Sequence, residues 1–181
     1  MIILFEMIFV IILGCILHFT YEWSHHNKII GWLSAVNEST WEHVKLVILP
    51  TFLTIIFDYW FLGSNPNYWF AKFIQMLFAV VMLPVISYLA EMIFKKHNLT
   101  IYIMIFCLVV VYALLGFDWI LRVNGLGMEV LGVIGCIMTM VAFSVLTFFP
   151  VKNSLFIDPR SKKIGFDAHE CHHAYSRGHK K

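Results

Sequence analysis

Ten consecutive residues, Val36-Asn37-Glu38-Ser39-Thr40-Trp41-Glu42-His43-Val44-Lys45, carry two carboxylates, an imidazole, an amide, two hydroxyls and an ammonium. They stand directly before Leu46-Val47-Ile48-Leu49-Pro50, where a long apolar run begins. If a helix reaches back over Glu38, then Glu38 and Glu42 share one face at i, i+4, with Lys45 close by. Two carboxylates that near one another either share a proton or bind a cation between them. His43 falls about one position further round, near Ser39, where an imidazole carries protons near neutral pH or ligates a transition metal. Glu38, Glu42 and His43 are therefore candidate metal ligands, and Glu42 and His43 are also candidate general bases. Asn37, Ser39 and Lys45 are their polar support.

A structural account competes for part of this stretch. Ser39-Thr40-Trp41-Glu42 is an S/T-x-x-E capping box. Its Ser39 hydroxyl accepts from the N–H of residue 42, and its Glu42 carboxylate reaches back to the Ser39 N–H. Asn37 is an alternative cap, and acidic residues suit the positive end of a helix dipole. Capping explains Ser39 and Glu42. It leaves Asn37, Glu38 and His43 without a common reason.

A second polar cluster precedes the first, Tyr21-Glu22-Trp23-Ser24-His25-His26. Glu22 and His25 have the Glu-x-x-His spacing that, on a helix, aims both ligands from one face, as in carboxylate-bridged dimetal bundles. Glu22 joins the candidate metal set on that ground. His18, alone among apolar residues, reads as a hydrogen-bonded core histidine at the same membrane level. Glu91 has Lys95 as its i+4 partner and Asp118 has Arg122. Asp58 has no partner nearby in sequence and is the candidate for a cation or proton path, since intramembrane charges are costly to keep. The tail, His169-Glu170-Cys171-His172-His173-Ala174-Tyr175-Ser176-Arg177-Gly178-His179, has ligands suited to zinc or copper but the spacing of no closed zinc motif, and reads as a flexible weak binder.

Something must position these groups, and composition says what. The 181 residues are 60% hydrophobic and 13% charged, and mean hydropathy is +0.80. A soluble domain of this length cannot hide so much apolar surface, whereas a bilayer accepts it. Continuous apolar runs at about 2–19, 44–62, 68–94, 99–121 and 126–149 predict an all-α, polytopic membrane bundle of about five transmembrane helices. The runs do not alternate, which argues against a β-barrel. Residues 1–166 form one transmembrane domain, and 167–181 a polar, His-rich tail. The first run lacks a basic flank and a clear cleavage site, so it reads as a retained span.

Lys28, Lys45, Lys95, Lys96, Lys152, Arg160, Lys162 and Lys163 fall on one side of five spans. The positive-inside bias then places the N-terminus outside and the tail in the cytoplasm, with the ten-residue motif at the cytoplasmic face of a cell membrane. Ile29, Ile30, Trp32, Leu33 and Val36 suggest a short interfacial helix in the connection, and Gly63-Ser64-Asn65-Pro66-Asn67 a tight turn. Gly132, Gly135 and Cys136 give the last span a small-residue face for close packing. A net charge of +2 gives no argument for nucleic acid. The four cysteines, mostly in apolar runs, give no disulfide framework. The bilayer is the expected partner, together with further copies of the chain.

The order Tyr21-Glu22-Trp23-Ser24, Val36 to Leu46, Phe148-Phe149-Pro150 and Leu155-Phe156-Ile157-Asp158-Pro159 with Gly165 resembles a family of small bacterial multi-pass membrane proteins classed only as a domain of unknown function. The resemblance covers about residues 1–166. It implies that the Asn-Glu-Ser-x-Trp-Glu-His motif and the Leu-Phe-x-Asp-Pro segment belong to one design, so that Asp158 completes a site with Glu22, Glu38, Glu42 and His43. The chain departs from the family pattern at Ala35, Val151 and Ile164, at His25 and His26, and in its tail beyond Asp167.

Three functions follow as expectations. The first is cation- or proton-coupled binding and transport, with the carboxylates and His43 at the inner gate. The second is a hydrolase in which a divalent ion such as zinc, held by Glu22, Glu38, Glu42, His43 and Asp158, activates water against a lipid or other interfacial substrate. Neither His-Glu-x-x-His nor Gly-x-Ser-x-Gly is present to support it. The third is a structural subunit whose polar residues only cap helices and pin the tail.

Overall fold

A computed structural model describes residues 1–94 and 99–168. The chain runs α1 (Ile2–Trp23), α2 (Lys28–Leu33), α3 (Thr40–Leu62), α4 (Tyr68–Phe94), α5 (Leu99–Arg122) and α6 (Glu129–Phe148), then a 3₁₀ turn at Ser154–Phe156. All but α2 are long and apolar enough to cross a bilayer. Among the described residues the sole β-pairing is an isolated antiparallel bridge between Ile157 and Ile164. The fold is the expected all-α bundle of five such helices. Lys95, the partner expected for Glu91, Lys96 and the His-rich stretch from His169 onward lie outside the described residues.

α3 is the central helix, and every residue from Val44 to Thr51 is buried. It packs against α1 and α4, while α4 also carries α5 and α6. The outer face of α1 shows the complementary pattern: Leu4, Ile8, Ile12, Ile16, Phe19 and Trp23 are exposed at helical spacing, the stripe a lipid-facing helix presents. α6 comes close to α4 because it can. A Cβ on Gly132 would collide with the backbone of Trp69 and Phe70, and one on Gly135 with the Phe73 ring, which is how small residues let membrane helices approach.

Helix ends follow local chemistry. Asn27 caps α2 through the Ile29 N–H, and Ser39 caps α3 through the Glu42 N–H. At the other end of the bundle Asn67 staples the α4 start to the α5–α6 connection. Its amide donates to the carbonyls of Ile120 and Val123, and its Oδ1 accepts from the Leu126 N–H. The first helix runs one turn beyond the expected span, through Trp23, and there it stops. His25 and His26 have φ of 54° and 65°, left-handed values incompatible with a continuing helix. Glu22 and His25 therefore do not share a helix face, and the Glu-x-x-His reading is corrected by that turn.

Candidate functional site

The end of the bundle that holds the α3 N-terminus also holds the α1 C-terminus and the chain after α6. Two hydrogen bonds of Asn37 begin the assembly: its Oδ1 accepts from the Ser39 N–H at 2.8 Å, and its amide donates to the Gly165 carbonyl at 3.0 Å. Trp41 and Phe156 pack with ring centroids 5.1 Å apart. The motif and the Leu-Phe-x-Asp-Pro segment are thus one surface, held by an amide and an aromatic pair.

On that surface His18 of α1, Glu38 before α3 and His43 of α3 converge, with one ligand atom from each within 4.8 Å of the others. Glu38 Oε1 lies 3.9 Å from His18 Nε2, and Glu38 Oε2 3.8 Å from His43 Nε2. Two ligands of a tetrahedral zinc, each about 2.0–2.1 Å from the ion, stand roughly 3.4 Å apart. These two gaps, each to a different Glu38 oxygen, are a few tenths of an ångström wider, and the three residues would have to draw together to close on one ion.

His43 is already oriented for ligation. Its Nδ1 lies 2.9 Å from the Ser39 carbonyl. A carbonyl only accepts, so Nδ1 carries a proton, and the ring in its neutral form would present its lone pair at Nε2. The side chains of His43, His18 and Glu38 are 14%, 19% and 21% exposed, reachable yet screened from bulk solvent. Arg160 from the chain after α6 places Nη1 3.7 Å from Glu38 Oε1. A cavity of about 100 Å³, lined by His18, His43, Gly14, Leu46 and Phe106, lies inward of the pair of rings. On the other side Glu38 joins a groove of about 530 Å³ with Thr40, Pro84, Leu89 and Lys162.

The remaining sequence candidates have other surroundings. Glu42 is 3% exposed and turns inward. Its Oε2 accepts from the Val36 N–H at 2.9 Å and pairs with Lys45 Nζ at 2.8 Å. Lys45, fully buried, also donates to the Gly31 carbonyl and lies 5.9 Å from the Phe143 ring centre. This corrects the capping box: Ser39 does its half, but the Glu42 carboxylate passes its own cap and binds three residues further back. Asp158 is buried too, and its carboxylate accepts from the Ser161 N–H at 2.8 Å and the Arg160 N–H at 3.4 Å. It shapes the turn that delivers Arg160 to Glu38. Glu22 is exposed one turn beyond His18. Of the five expected ligands, Glu38 and His43 come together, while Glu22, Glu42 and Asp158 are outside the triad.

His18 is the residue the sequence undervalued. Its level in the membrane was readable, but the face of α1 it occupies depends on how α1 packs on α3. Asp58, without a partner in sequence, gains two from α4: Lys72 Nζ at 2.6 Å from its Oδ2, and the Tyr68 hydroxyl, which donates to its Oδ1.

A family model described as "Family of unknown function (DUF6512)" matches residues 1–166. Nothing among curated proteins or solved structures matches this chain.

Proposed function

The chain belongs to the family of unknown function DUF6512, and from that premise we propose that it is a membrane-embedded protein that takes up a divalent transition-metal ion at His18, Glu38 and His43 and moves it with protons. One observation carries the reading: two imidazoles and a carboxylate from separate parts of the chain meet within 4.8 Å at the rim of the bundle. Two nitrogens and one carboxylate suit zinc or a similar ion, and three protein ligands leave a position open. An open position is what a site needs if it is to release its ion.

Two features favour transport. A small cavity beside His18 and His43 is lined by α1, α3 and α5. Further along the same α1 and α3 lies a second charged cluster containing Glu6 and Asp58; the twelve residues from Glu6 to His18 span roughly 18 Å at about 1.5 Å each. Between the clusters Thr51 is the one hydroxyl on these two helices. A path through so apolar a centre needs several copies of the chain around it, so the proposal includes a homo-oligomer. The positive-inside bias places the metal rim on the cytoplasmic side.

The groove beside Glu38 favours a second reading. A three-ligand ion next to a cleft of about 530 Å³ has the layout of a metal hydrolase, with the open position for water and the cleft for a lipid. Vesicles reconstituted with the purified protein separate the two. Transport predicts zinc entry reported by a trapped indicator, lost in Glu38→Gln and His43→Ala. Metal-dependent release of lipid fragments without zinc entry would replace it with hydrolysis. Neither signal, with no zinc bound, would leave the scaffold.

A further inference from the structure

The cluster at the far end of the bundle has a ligand of its own. Glu6 of α1, Thr54 and Asp58 of α3, and Tyr68, Lys72 and Gln75 of α4 meet there, each at most 3% exposed. Lys72 Nζ lies 2.6 Å from Glu6 Oε1 and 2.6 Å from Asp58 Oδ2. It donates to Thr54 Oγ1 at 3.0 Å and stands 4.4 Å from the centre of the Phe117 ring of α5. Gln75 Nε2 donates to Glu6 Oε1 at 2.8 Å, and the Tyr68 hydroxyl serves Asp58 Oδ1. Beyond Tyr68 lies the Cys136 thiol of α6.

Two things do not balance. Two carboxylates against one ammonium leave one negative charge in excess in a site shut off from water, where unpaired charge is most costly. Glu6 Oε2 and Gln75 Oε1 are both buried acceptors with no hydrogen-bond partner, although Gln75 is already bonded to the other oxygen of Glu6. One positively charged hydrogen-bond donor would correct the charge and satisfy Glu6 Oε2 together. Lys72 already fills the space between the carboxylates, and both orphan oxygens are sealed, so a metal ion or organic cation has no room. A proton needs none.

We propose that Glu6, Asp58 and Lys72 form a proton-binding centre, with the proton on Glu6 Oε2. The O–H bond forms with a proton drawn from bulk water and breaks by returning it, and no other bond changes. The route we assign is the cavity of about 400 Å³ at this end, lined by Met1, Phe5, Glu6, Phe57, Asp58 and Phe61, which reaches the edge of the cluster. This inference deepens the proton-coupled transport reading by naming where the proton sits, on a helix pair shared with the metal rim.

Infrared difference spectroscopy of the full-length protein in lipid tests it without metal or flux, so it can fail while the metal site stands, and the reverse. The expected result is a carboxylic-acid C=O band that appears or disappears as pH is stepped, moves with ¹³C-glutamate labelling, and is lost completely in Glu6→Gln. The labelled wild type keeps the test alive should Glu6→Gln not fold. No such band, a band that follows ¹³C-aspartate instead, or one that survives in Glu6→Gln would overturn the proposal.

Discussion

Glu38 and Glu42 are the same side chain four residues apart, and their neighbours set them different work. Glu42 neutralises a fully buried lysine, so Glu42→Gln leaves the Lys45 ammonium without its counter-charge. Removing one partner of a buried pair costs about 3–5 kcal/mol, which should appear as a clear drop in the midpoint of thermal unfolding in detergent. Glu38 is partly exposed and faces three basic groups at 3.7–3.9 Å. Glu38→Gln should leave that midpoint near wild type and remove zinc binding, as measured by calorimetric titration. Arg160 competes with an incoming cation for Glu38, so Arg160→Gln should tighten zinc binding by a few-fold, an effect that shrinks with salt. Protons compete with metal for both imidazoles. Zinc affinity should therefore fall as pH is lowered and recover as it is raised, because binding must displace any proton on the ligating nitrogens. The sequence made both Glu38 and Glu42 candidate metal ligands, with capping as a competing role for Glu42. Burial and the reach of Val36 N–H separate them, and neither is written in the local spacing.

At the scale of elements the sequence was far more informative. Five apolar runs became five helices because in a bilayer a helix is the open solution that satisfies its own backbone. Ser39 starts α3 as its pattern predicted, and Ser39→Ala should cost about 1 kcal/mol in the same unfolding assay. The small-residue face of α6 was legible too, but its target was not: only the fold brings Gly132 against Trp69 and Phe70. Gly132→Leu should separate α4 from α6 and lower the unfolding midpoint more than Ser39→Ala does; an equal or higher midpoint would deny that contact. The end of α1 was the weak point. Tyr21-Glu22-Trp23 fell beyond the expected apolar run, yet the helix continues through Trp23, just short of the left-handed turn at His25 and His26. Helices end where a backbone turn ends them, and polarity alone locates that within a turn at best.

The whole molecule is a bundle with a metal-ligand triad at one rim and a sealed ionic cluster toward the other. Alternating spans already placed the motif and the chain after α6 at one end, as Asn37 and Gly165 confirm. What no reading along the chain could supply is long-range closure. Glu6 meets Lys72, and His18 meets His43, only because α1 packs across α3 in one register, fixed in part where Gly14 admits the Phe106 ring and the Leu46 carbonyl. The account rests on the triad, and metal content tests it most directly. Purified full-length protein is equilibrated with zinc, desalted and assayed for metal per chain. Differences between variants are what count, since the tail histidines are common to all. Wild type and folded Glu42→Gln should retain one more zinc per chain than Glu38→Gln and His43→Ala; equal zinc in all four would contradict a site at His18, Glu38 and His43.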